Sequence, residues 1–395
     1  MSKWEKVKLG EIGDFKSGGT PSRSKPEYFE GNIPWITTVS LGKIFIDERD
    51  AVEHISAQAV ANSATKIISK NSILVGIRVG VGKVSINSVS MCTNQDIISI
   101  ENIDERKIYK PYIVHSIKSY KSYFDDQKRG ATIQGINSSM LKSLDISLPP
   151  LETQKQIAKT LDTAAELLAM RKQQLAELDN LIKSTFYDMF GDPVTNEKGW
   201  DTPLIEAIVS KEKNAIKAGP FGSALKKEFY VEQGYKIYGQ EQVINDDPKY
   251  GDYYISESKY KELENCAIQE NDVLISLVGT YGKLIIIPKE FEKGIINPRL
   301  MKITFDKSIV NTTYFKYYFI SESLKNKLSE VSRGGTMDIL NVGIVRKLEI
   351  PLPPLHLQNQ FATIVSKIEE QKALVKKAID ETQYLFDSLM SEYFE

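Results

Sequence analysis

The chain has 395 residues, enough for about two to three domains of ordinary size. Its 51 basic and 52 acidic residues give a formal net charge of -1, and its 41% hydrophobic and 26% charged residues are ordinary globular values. This composition excludes a disordered chain, a collagen-like repeat and a disulfide-rich scaffold, and it lacks the strongly basic balance that often marks nucleic-acid binders.

The cysteines and histidines restrict the kinds of site that the chain can form. Cys92 and Cys266 are the only cysteines, so we expect no disulfide framework and predict a cytoplasmic protein. His54, His115 and His356 have no cysteine or histidine at ligand spacing, which argues against a structural metal site. The polar N-terminus begins no signal peptide, and the apolar stretches are far shorter than the roughly 20 residues that cross a bilayer.

Residues 1–150 predict a first globular domain of the α+β class. Short runs of β-branched and aromatic residues, such as 33–37 and 73–77, alternate with glycine, proline and asparagine turns and indicate strands. Periodic aromatic residues and lysines indicate a helix near 111–127. We therefore expect a mostly antiparallel sheet with a few short helices.

Residues 151–191 predict one long helix with a heptad pattern. Prolines at 149 and 150 suit the start of a helix, and Gly191 suits its end. Apolar residues recur at alternating steps of four and three, which is the spacing of a coiled-coil seam. Arg171 and Thr185 interrupt this seam, whose other members are Ile157, Leu161, Ala164, Leu168, Leu175, Leu178, Ile182 and Met189.

Residues 192–354 and 355–395 repeat this organisation as a second globular domain and a second long helix. The segment 129–132 (RGAT) recurs as 333–336 (RGGT), and 148–156 (LPPLETQKQ) recurs at the same offset as 352–360 (LPPLHLQNQ). A strand near 273–278 and a helix near 312–331 are expected again. Lys372 and Thr382 interrupt the second seam, whose other members are Phe361, Val365, Ile368, Val375, Ile379, Phe386, Leu389 and Tyr393.

The two seams predict that the long helices pair. About 40 residues at roughly 1.5 Å each span about 60 Å. If the two copies are related by a pseudo-twofold axis, the second helix returns to the first domain, giving an antiparallel coiled coil in a quasi-circular molecule. The alternative is that each helix packs only on its own domain, but seams of this length favour the shared coiled coil.

The sequence contains no recognisable catalytic motif. Residues 13–20 have the glycine spacing of a phosphate-binding loop, but Gly19 occupies the position of the essential lysine. Motifs of serine hydrolases, zinc proteases and dinucleotide-binding folds are absent from the printed sequence. A binding protein is therefore favoured, and an enzyme with an unrecognised site is an alternative.

Loops that combine glycine, hydroxyl residues and cations occur in both copies. Such loops offer backbone N–H groups, hydroxyls and positive charge to phosphates. Each loop taken alone favours a solvated turn over a DNA contact, whereas recurrence in both copies strengthens the case for DNA contact. The candidate DNA-binding residues are Lys16, Ser17, Gly18, Gly19, Thr20, Arg23, Lys25, Arg78, Lys83, Arg129 and Thr132 in the first copy, and Lys217, Phe221, Ser223, Lys226, Lys227, Lys283, Arg299, Arg333 and Thr336 in the second.

The charge is distributed unevenly along the chain. Residues 1–150 carry 20 basic and 16 acidic side chains, and residues 193–350 carry 22 of each. The helical segments 151–192 and 351–395 are acidic, with 5 basic against 7 acidic and 4 basic against 7 acidic side chains. This distribution is consistent with DNA at the globular domains and protein partners at the helices.

Four segments resemble parts of the specificity subunits of type I restriction–modification systems. Residues 17–36 (SGGTPSRSKPEYFEGNIPWI) resemble the opening of a target-recognition domain in that family. The segments 148–158 and 352–362 resemble its two helical repeats, and 186–194 (FYDMFGDPV) resembles its junction into the second recognition domain. The second domain departs from the pattern, with AGPFGS at 218–223 and KIY at 236–238, so its base preference cannot follow from the first domain.

The resemblance implies a non-catalytic, DNA-reading subunit. Each target-recognition domain would bind one half of a bipartite, asymmetric double-stranded target, and the coiled coil would set the spacing. Two methyltransferase subunits would dock on the helices and methylate adenine from S-adenosylmethionine by base flipping, and restriction subunits using ATP and Mg could join. The chain itself would bind no cofactor. A duplicated protein-interaction scaffold that does not bind DNA is the alternative.

Overall fold

The computed structural model describes residues 4–129, 135–277, 283–332 and 340–394. The chain divides into two compact units. Unit 1 comprises Met1–Lys172 together with Lys377–Glu395, and unit 2 comprises Gln173–Lys376. Both long helices pass from one unit into the other.

The described residues of unit 1 form ten strands, four short helices, the start of one long helix and the end of the other. The strands are β1 Glu5–Lys8, β2 Asp14–Ser17, β3 Ile33–Ile36, β4 Phe45–Ile46, β5 Glu53–Ile55, β6 Ile73–Gly76, β7 Val84–Asn87, β8 Cys92–Thr93, β9 Ile97–Glu101 and β10 Asp145–Leu148. The helices are α1 Ala57–Ala61, α2 Lys110–Ser119, α3 Lys121–Arg129, α4 Ser138–Lys142 and α5 Leu151–Phe190.

In the part of unit 2 that the structure describes, there are eight strands, five short helices, the end of the first long helix and most of the second. The strands are β11 Ile216–Ala218, β12 Tyr230–Val231, β13 Tyr235–Tyr238, β14 Tyr254–Ile255, β15 Val273–Ser276, β16 Leu284–Ile286, β17 Gly294–Ile296 and β18 Leu300–Ile303. The helices are α6 Gln240–Asn245, α7 Glu257–Glu262, α8 Thr312–Phe319, α9 Glu322–Ser332, α10 Val342–Arg346 and α11 Leu355–Phe394.

Each unit has two main sheets rather than the single sheet expected from the sequence. In unit 1, a five-stranded sheet has the order β2-β9-β6-β7-β4 and a smaller one the order β5-β3-β8. In unit 2, the orders are β11-β18-β15-β16 and β12-β14-β13-β17. Most neighbours are antiparallel, as predicted, whereas β3–β8, β4–β7 and β13–β17 are parallel. Short local runs cannot reveal which sheet a strand joins.

The central strands are buried throughout because both faces of their sheets are covered. Every residue of β6, β9, β15 and β18 is buried.

The sequence predicts one helix near 111–127 and one near 312–331, but the structure has a pair of helices in each place, α2 with α3 and α8 with α9. None of the described helices combines the length and apolar composition needed to cross a bilayer.

A buried glutamine fixes the start of each long helix to its globular domain. The Gln154 amide accepts a hydrogen bond from the Tyr109 N–H at 2.8 Å and donates to the carbonyls of Lys107 and Pro149 at 2.9 and 2.8 Å. Gln358 makes the equivalent bonds with Asn311, Ile309 and Pro353 in unit 2. The repeated glutamine therefore satisfies backbone groups where the helix leaves the domain.

In unit 1, the beginning of α5 packs beside the end of α11. Ile157 and Leu161 belong to the core against which Phe386 and Phe394 pack. Further along, Arg171 donates hydrogen bonds to the Thr382 hydroxyl and the Ala378 carbonyl. Later residues of one helix thus face earlier residues of the other, so the two segments run antiparallel.

In unit 2, the beginning of α11 packs beside the end of α5. Phe186 and Phe190 of α5 surround Phe361 of α11, with ring centroids 5.6 and 5.5 Å apart. Lys372 forms ion pairs with Asp179 at 2.6 Å and Glu369 at 2.7 Å. Burial alone would lower the pKa of Lys372, but these two carboxylates outweigh it and raise the pKa.

The antiparallel coiled coil predicted from the sequence is confirmed within each unit, and packing of each helix on its own domain alone is wrong. Gly191 ends α5 at a φ of 77°, in the left-handed region that favours glycine. The proposed seam residues are all buried or half-buried. These are Ile157, Leu161, Leu168, Leu175, Leu178, Ile182, Phe361, Val365, Ile368, Val375, Ile379 and Phe386.

Candidate nucleic-acid interface

An open depression in unit 1 collects hydrogen-bonding side chains at the ends of adjacent strands. It has a volume of about 590 Å³ and an apolar floor that includes Ile77 and Ile98. We call it the strand-end depression. Its polar lining comprises Ser17, Arg78, Gln95, Gln127, Asn137 and Ser138.

The lining residues come from segments that the five-stranded sheet brings together. Arg78 follows β6 in the connection to β7, and Gln95 precedes β9, the antiparallel neighbour of β6. Asn137 caps α4 by accepting a hydrogen bond from the Met140 N–H at 2.9 Å. The cap fixes the Asn137 side chain at the rim of the depression.

Arg78 is the main cation of this depression. Its side chain is 52% exposed, and its Nη1 lies 3.5 Å from the Asp96 carboxylate, a distance at the limit of a hydrogen bond. Asp96 is also held by Asn94, whose Nδ2 donates at 3.1 Å. Among the described residues, Asp96 is the one hydrogen-bond partner of the Arg78 guanidinium, so most of its donor positions are open to a ligand as far as that part of the chain is concerned.

Two N–H groups of the glycine-rich loop after β2 are used within the protein and are not available to phosphate. Gly18 N–H donates to the Ile97 carbonyl at 3.1 Å, and Gly19 N–H donates to the Thr93 carbonyl at 2.8 Å. A Cβ atom at either glycine would lie within 2.5 Å of neighbouring backbone atoms. Both positions therefore require glycine for close packing, and DNA contact by Gly18 and Gly19 stays a prediction that would not use their N–H groups.

Three cations of β2 and the loop after it contact neighbouring side chains. Arg23 binds Glu53 through two hydrogen bonds of 2.7 and 2.6 Å, which lower the pKa of Glu53, and it stacks 4.3 Å from the Phe29 ring. Lys25 donates to the Tyr28 hydroxyl at 3.0 Å. Lys16 lies 3.2 Å from the buried carboxylate of Glu101.

Two further candidates of unit 1 lie outside the depression or at its edge. Thr20 donates its hydroxyl hydrogen to the Gln95 side chain, which places it beside the lining. Lys83 lies in a different depression, which Gly42, Lys118 and Phe386 also line. The Arg129 side chain and Thr132, with Arg333 and Thr336 of unit 2, lie outside the described residues.

Unit 2 has a cluster of similar groups at the equivalent strand ends. β15 and β18 are antiparallel neighbours, as β6 and β9 are in unit 1. Arg299, which directly precedes β18, donates to Gln240 at 3.2 Å, and Gln240 donates to Ser276, the last residue of β15, at 2.9 Å. We call these three residues the strand-end cluster.

The remaining candidates of unit 2 follow β11 or flank undescribed residues. Lys217 is half-buried within β11, and Phe221, Ser223, Lys226 and Lys227 are exposed in the segment after it. Lys226 lies 3.5 Å from the Glu228 carboxylate. Lys283 is exposed next to the undescribed residues 278–282.

Sequence reasoning missed the amide residues of both sites. Gln95, Gln127, Asn137 and Gln240 are uncharged and belong to no motif, so only the meeting of strand ends identifies them. Their position beside turns next to strong strand patterns was the available signal.

Neither a metal centre nor a reactive thiol occurs in the part of the chain that the structure describes. Within those ranges, no three histidine, cysteine, aspartate or glutamate side chains are grouped as metal ligands would be. Cys92 and Cys266 are free and buried. Burial raises the pKa of the Cys92 thiol to about 11, so it is protonated at neutral pH and is not a ready nucleophile.

Comparison with known proteins identifies relatives along the whole chain. The family model described as type I restriction modification DNA specificity domain matches residues 1–180 and 219–383. The MjaIX type I restriction enzyme specificity subunit of Methanocaldococcus jannaschii is 24% identical, covering 98% of this chain and 91% of the relative. The EcoR124I/EcoR124II specificity subunit of Escherichia coli is 35% identical over 39% of each chain.

Solved structures share the fold at low sequence identity. A chain from a study of complex assembly and conformational transition of the type I R-M system has a TM-score of 0.62 at 16% identity, with 99% of this chain and 97% of that chain covered. The S subunit of a type I restriction-modification system from M. genitalium has a TM-score of 0.57 at 16% identity, covering 100% and 96%. The α+β fold with two long helices is therefore shared with these chains.

Proposed function

The chain belongs to the family of type I restriction–modification DNA specificity subunits, and we propose that each of its units reads one half of a bipartite target through its strand ends. The two target-recognition domains would be residues 1–150 and 192–354, with 151–191 and 355–395 as helical repeats. One observation carries the proposal. Equivalent strand ends in the two units present guanidinium, amide and hydroxyl groups, but in different combinations.

These groups match the edges of base pairs in the major groove. Arginine pairs with the O6 and N7 atoms of guanine, and asparagine or glutamine pairs with N6 and N7 of adenine. Arg78 with Gln95 and Asn137, and Arg299 with Gln240, supply both types in each unit. Because the sets differ, the two half-sites are expected to differ in sequence, which gives an asymmetric target.

The long helices present apolar surface that suits protein partners. Large apolar side chains of α5 and α11 remain exposed outside the seam, and we propose that two modification subunits cover them. S-adenosylmethionine would then bind those subunits, and this chain would transfer no methyl group itself. A cytoplasmic location follows from the need to reach genomic DNA. The exposed residues are Leu167, Met170, Leu181, Leu374, Tyr384 and Leu385.

The near-zero net charge predicts that this chain alone binds DNA weakly and that the assembled complex binds it well. Binding strength to DNA depends mainly on phosphate neutralisation, and here several cations are already paired with carboxylates. A mobility-shift titration should therefore show specific, salt-sensitive binding only after the modification subunits are added. Absence of a specific shift with the complex on any genomic fragment would refute the DNA-reading function.

Replacing Arg78 with alanine should weaken specific binding by about 1–3 kcal/mol and relax the preference at one base pair of the half-site read by unit 1. The guanidinium is half-exposed, so the substitution should leave the unfolding free energy nearly unchanged. Competition binding with single-base variants of the target measures both effects.

Arg49→Ala is the matched control for Arg78. Arg49 is an exposed arginine of the same unit, paired with Asp47 at 2.5 Å, and it lies outside the strand-end depression. Its loss should leave base preference unchanged. Equal effects of the two substitutions would show that Arg78 contributes charge alone.

A further inference from the structure

Phe221 has the largest exposed fraction among the large apolar side chains of the described residues. Its side chain is 88% exposed, in the segment that follows β11. A ring that far out of the core contributes little to the folding of unit 2 by burial. Folding of unit 2 therefore does not explain this exposed ring, whereas binding to another molecule would.

The backbone around Phe221 is held firmly. Gly219 N–H donates to the Leu300 carbonyl at 2.9 Å, and a Cβ atom at Gly219 would lie 1.9 Å from the Asn297 carbonyl oxygen. Pro220 is buried, and the Ala224 N–H donates to the Phe221 carbonyl at 3.0 Å. Phe221 thus lies at the tip of a fixed turn, so little conformational entropy is lost when its ring binds a ligand.

The turn adjoins the strand-end cluster and carries cations. The Leu300 carbonyl that accepts from Gly219 belongs to the residue directly after Arg299. Lys226 and Lys227 are exposed a few residues beyond the ring. An aromatic tip beside a guanidinium–amide cluster and lysines combines a stacking surface, base-reading groups and phosphate-binding charge.

Unit 1 has a polar residue at the corresponding position. Gly18 N–H bonds to the Ile97 carbonyl at the first residue of β9, as Gly219 N–H bonds to the Leu300 carbonyl at the first residue of β18. The residue two positions later is Thr20 in unit 1 and Phe221 in unit 2. Thr20 uses its hydroxyl within the protein, on Gln95. The two turns therefore share a framework and differ at their tips.

We propose that Phe221 inserts between adjacent base pairs of the half-site read by unit 2 and unstacks that step. The inference rests on the proposed DNA-reading function and adds a deformation of one half-site only. Apolar wedges of this kind unstack and kink DNA, and the deformation is easiest at pyrimidine–purine steps. Unit 1, with Thr20 at its tip, leaves its half-site stacked.

The test uses the complex with modification subunits and the duplex target defined by its map of methylated adenines. 2-Aminopurine replaces, one at a time, the adenines on both strands of the unit 2 half-site and its flanks, and the methylated adenine is left unlabelled. The wild-type complex should raise the fluorescence at one step by several-fold. Base flipping unstacks the neighbours of the methylated adenine in both half-sites, so the comparison uses steps away from that base. At those steps, no comparable rise should occur in the half-site of unit 1.

Three substitutions distinguish a wedge from other roles of the ring. Phe221→Ser should abolish the rise and weaken binding by about 5- to 150-fold, which corresponds to the loss of stacking on one base. Phe221→Leu keeps an apolar wedge and should retain most of the rise. Phe45→Ser, at a 54% exposed residue of unit 1 that does not line the strand-end depression, should change neither quantity. The salt dependence should stay constant, since no phosphate contact is lost.

The possible failures are separable. Specific binding by the wild-type complex without a fluorescence rise at any step would overturn the wedge and leave the DNA-reading function intact. Failure of Phe221→Ser to assemble with the modification subunits in the absence of DNA would also overturn it, because the ring would then contact protein. Absence of specific binding by the wild-type complex would refute both the reading function and the wedge.

Discussion

Gln154→Ala should destabilise unit 1 by about 2–4 kcal/mol, and Gln358→Ala should do the same to unit 2. Each side chain is fully buried and joins three backbone groups where a long helix leaves its domain. Alanine would leave the Tyr109 N–H and the Pro149 carbonyl without their partner and create a cavity. Denaturant titration followed by hydrogen exchange of peptides from each unit measures the loss separately for the two units.

The repeat supplies its own controls for this prediction. Gln156 and Gln360 occupy matching positions two residues further along the same motif, but both are exposed. Gln156→Ala and Gln360→Ala should change the unfolding free energy by less than about 0.5 kcal/mol. If the exposed and buried glutamines cost the same, the hydrogen bonds at the helix start are not the source of the stability.

The fold was predictable from the sequence where the pattern is long or repeated. The two seams, which include Ile157 on the first long helix and Phe386 on the second, follow a period that few structures other than paired helices satisfy. The antiparallel coiled coil could therefore be deduced before its contacts were known. The repeat also marked Gln154 and Gln358 as equivalent, although it could not show that they are buried. That burial depends on backbone groups distant in sequence, such as the carbonyls of Lys107 and Ile309, which accept hydrogen bonds from the two side chains.

The site was less predictable because local composition does not show what a loop contacts. Gly18 and Gly19 suited a phosphate-binding loop, yet their N–H groups bond to neighbouring strands. Arg23 suited a phosphate contact, yet Glu53 occupies its guanidinium. Conversely, nothing in the sequence near Gln95 or Asn137 distinguishes these amides from other surface residues. Their proximity depends on the order of strands in the sheet, which short strand patterns do not specify.

Near-neutral charge is compatible with DNA reading once the cations are sorted by their partners. Lys16, Arg23 and Lys25 contact side chains of their own unit, so they would add little to phosphate neutralisation. Arg78 and Arg299 instead lie with amides at strand ends. We propose that this chain supplies the base contacts and that the modification subunits supply many of the phosphate contacts.

Matched deletion of one heptad from each long helix, 172–178 and 373–379, should abolish methylation at the original target and shorten the gap between the half-sites that are then methylated. Both segments lie between the Arg171–Thr382 and Asp179–Lys372 contacts, so these pairs and the phase of both seams are retained. Seven helical residues correspond to about 10 Å, or about three base pairs at 3.4 Å each. A map of methylated adenines in cells that express the variant with its modification subunits measures the gap.

Deleting 172–178 alone distinguishes a spacer from a general effect of shortening. The single deletion displaces the residues of α5 relative to α11 by one heptad, so Arg171 and Asp179 cannot both keep their partners. It should therefore destabilise the chain and prevent assembly, whereas the matched variant folds and assembles. Three fewer base pairs also change the DNA twist by about 100°, so the matched variant should bind its new target more weakly than the wild type binds its own. An unchanged gap in a matched variant that folds and methylates would refute the spacer role, because the seam would then stabilise the chain without setting the distance between half-sites.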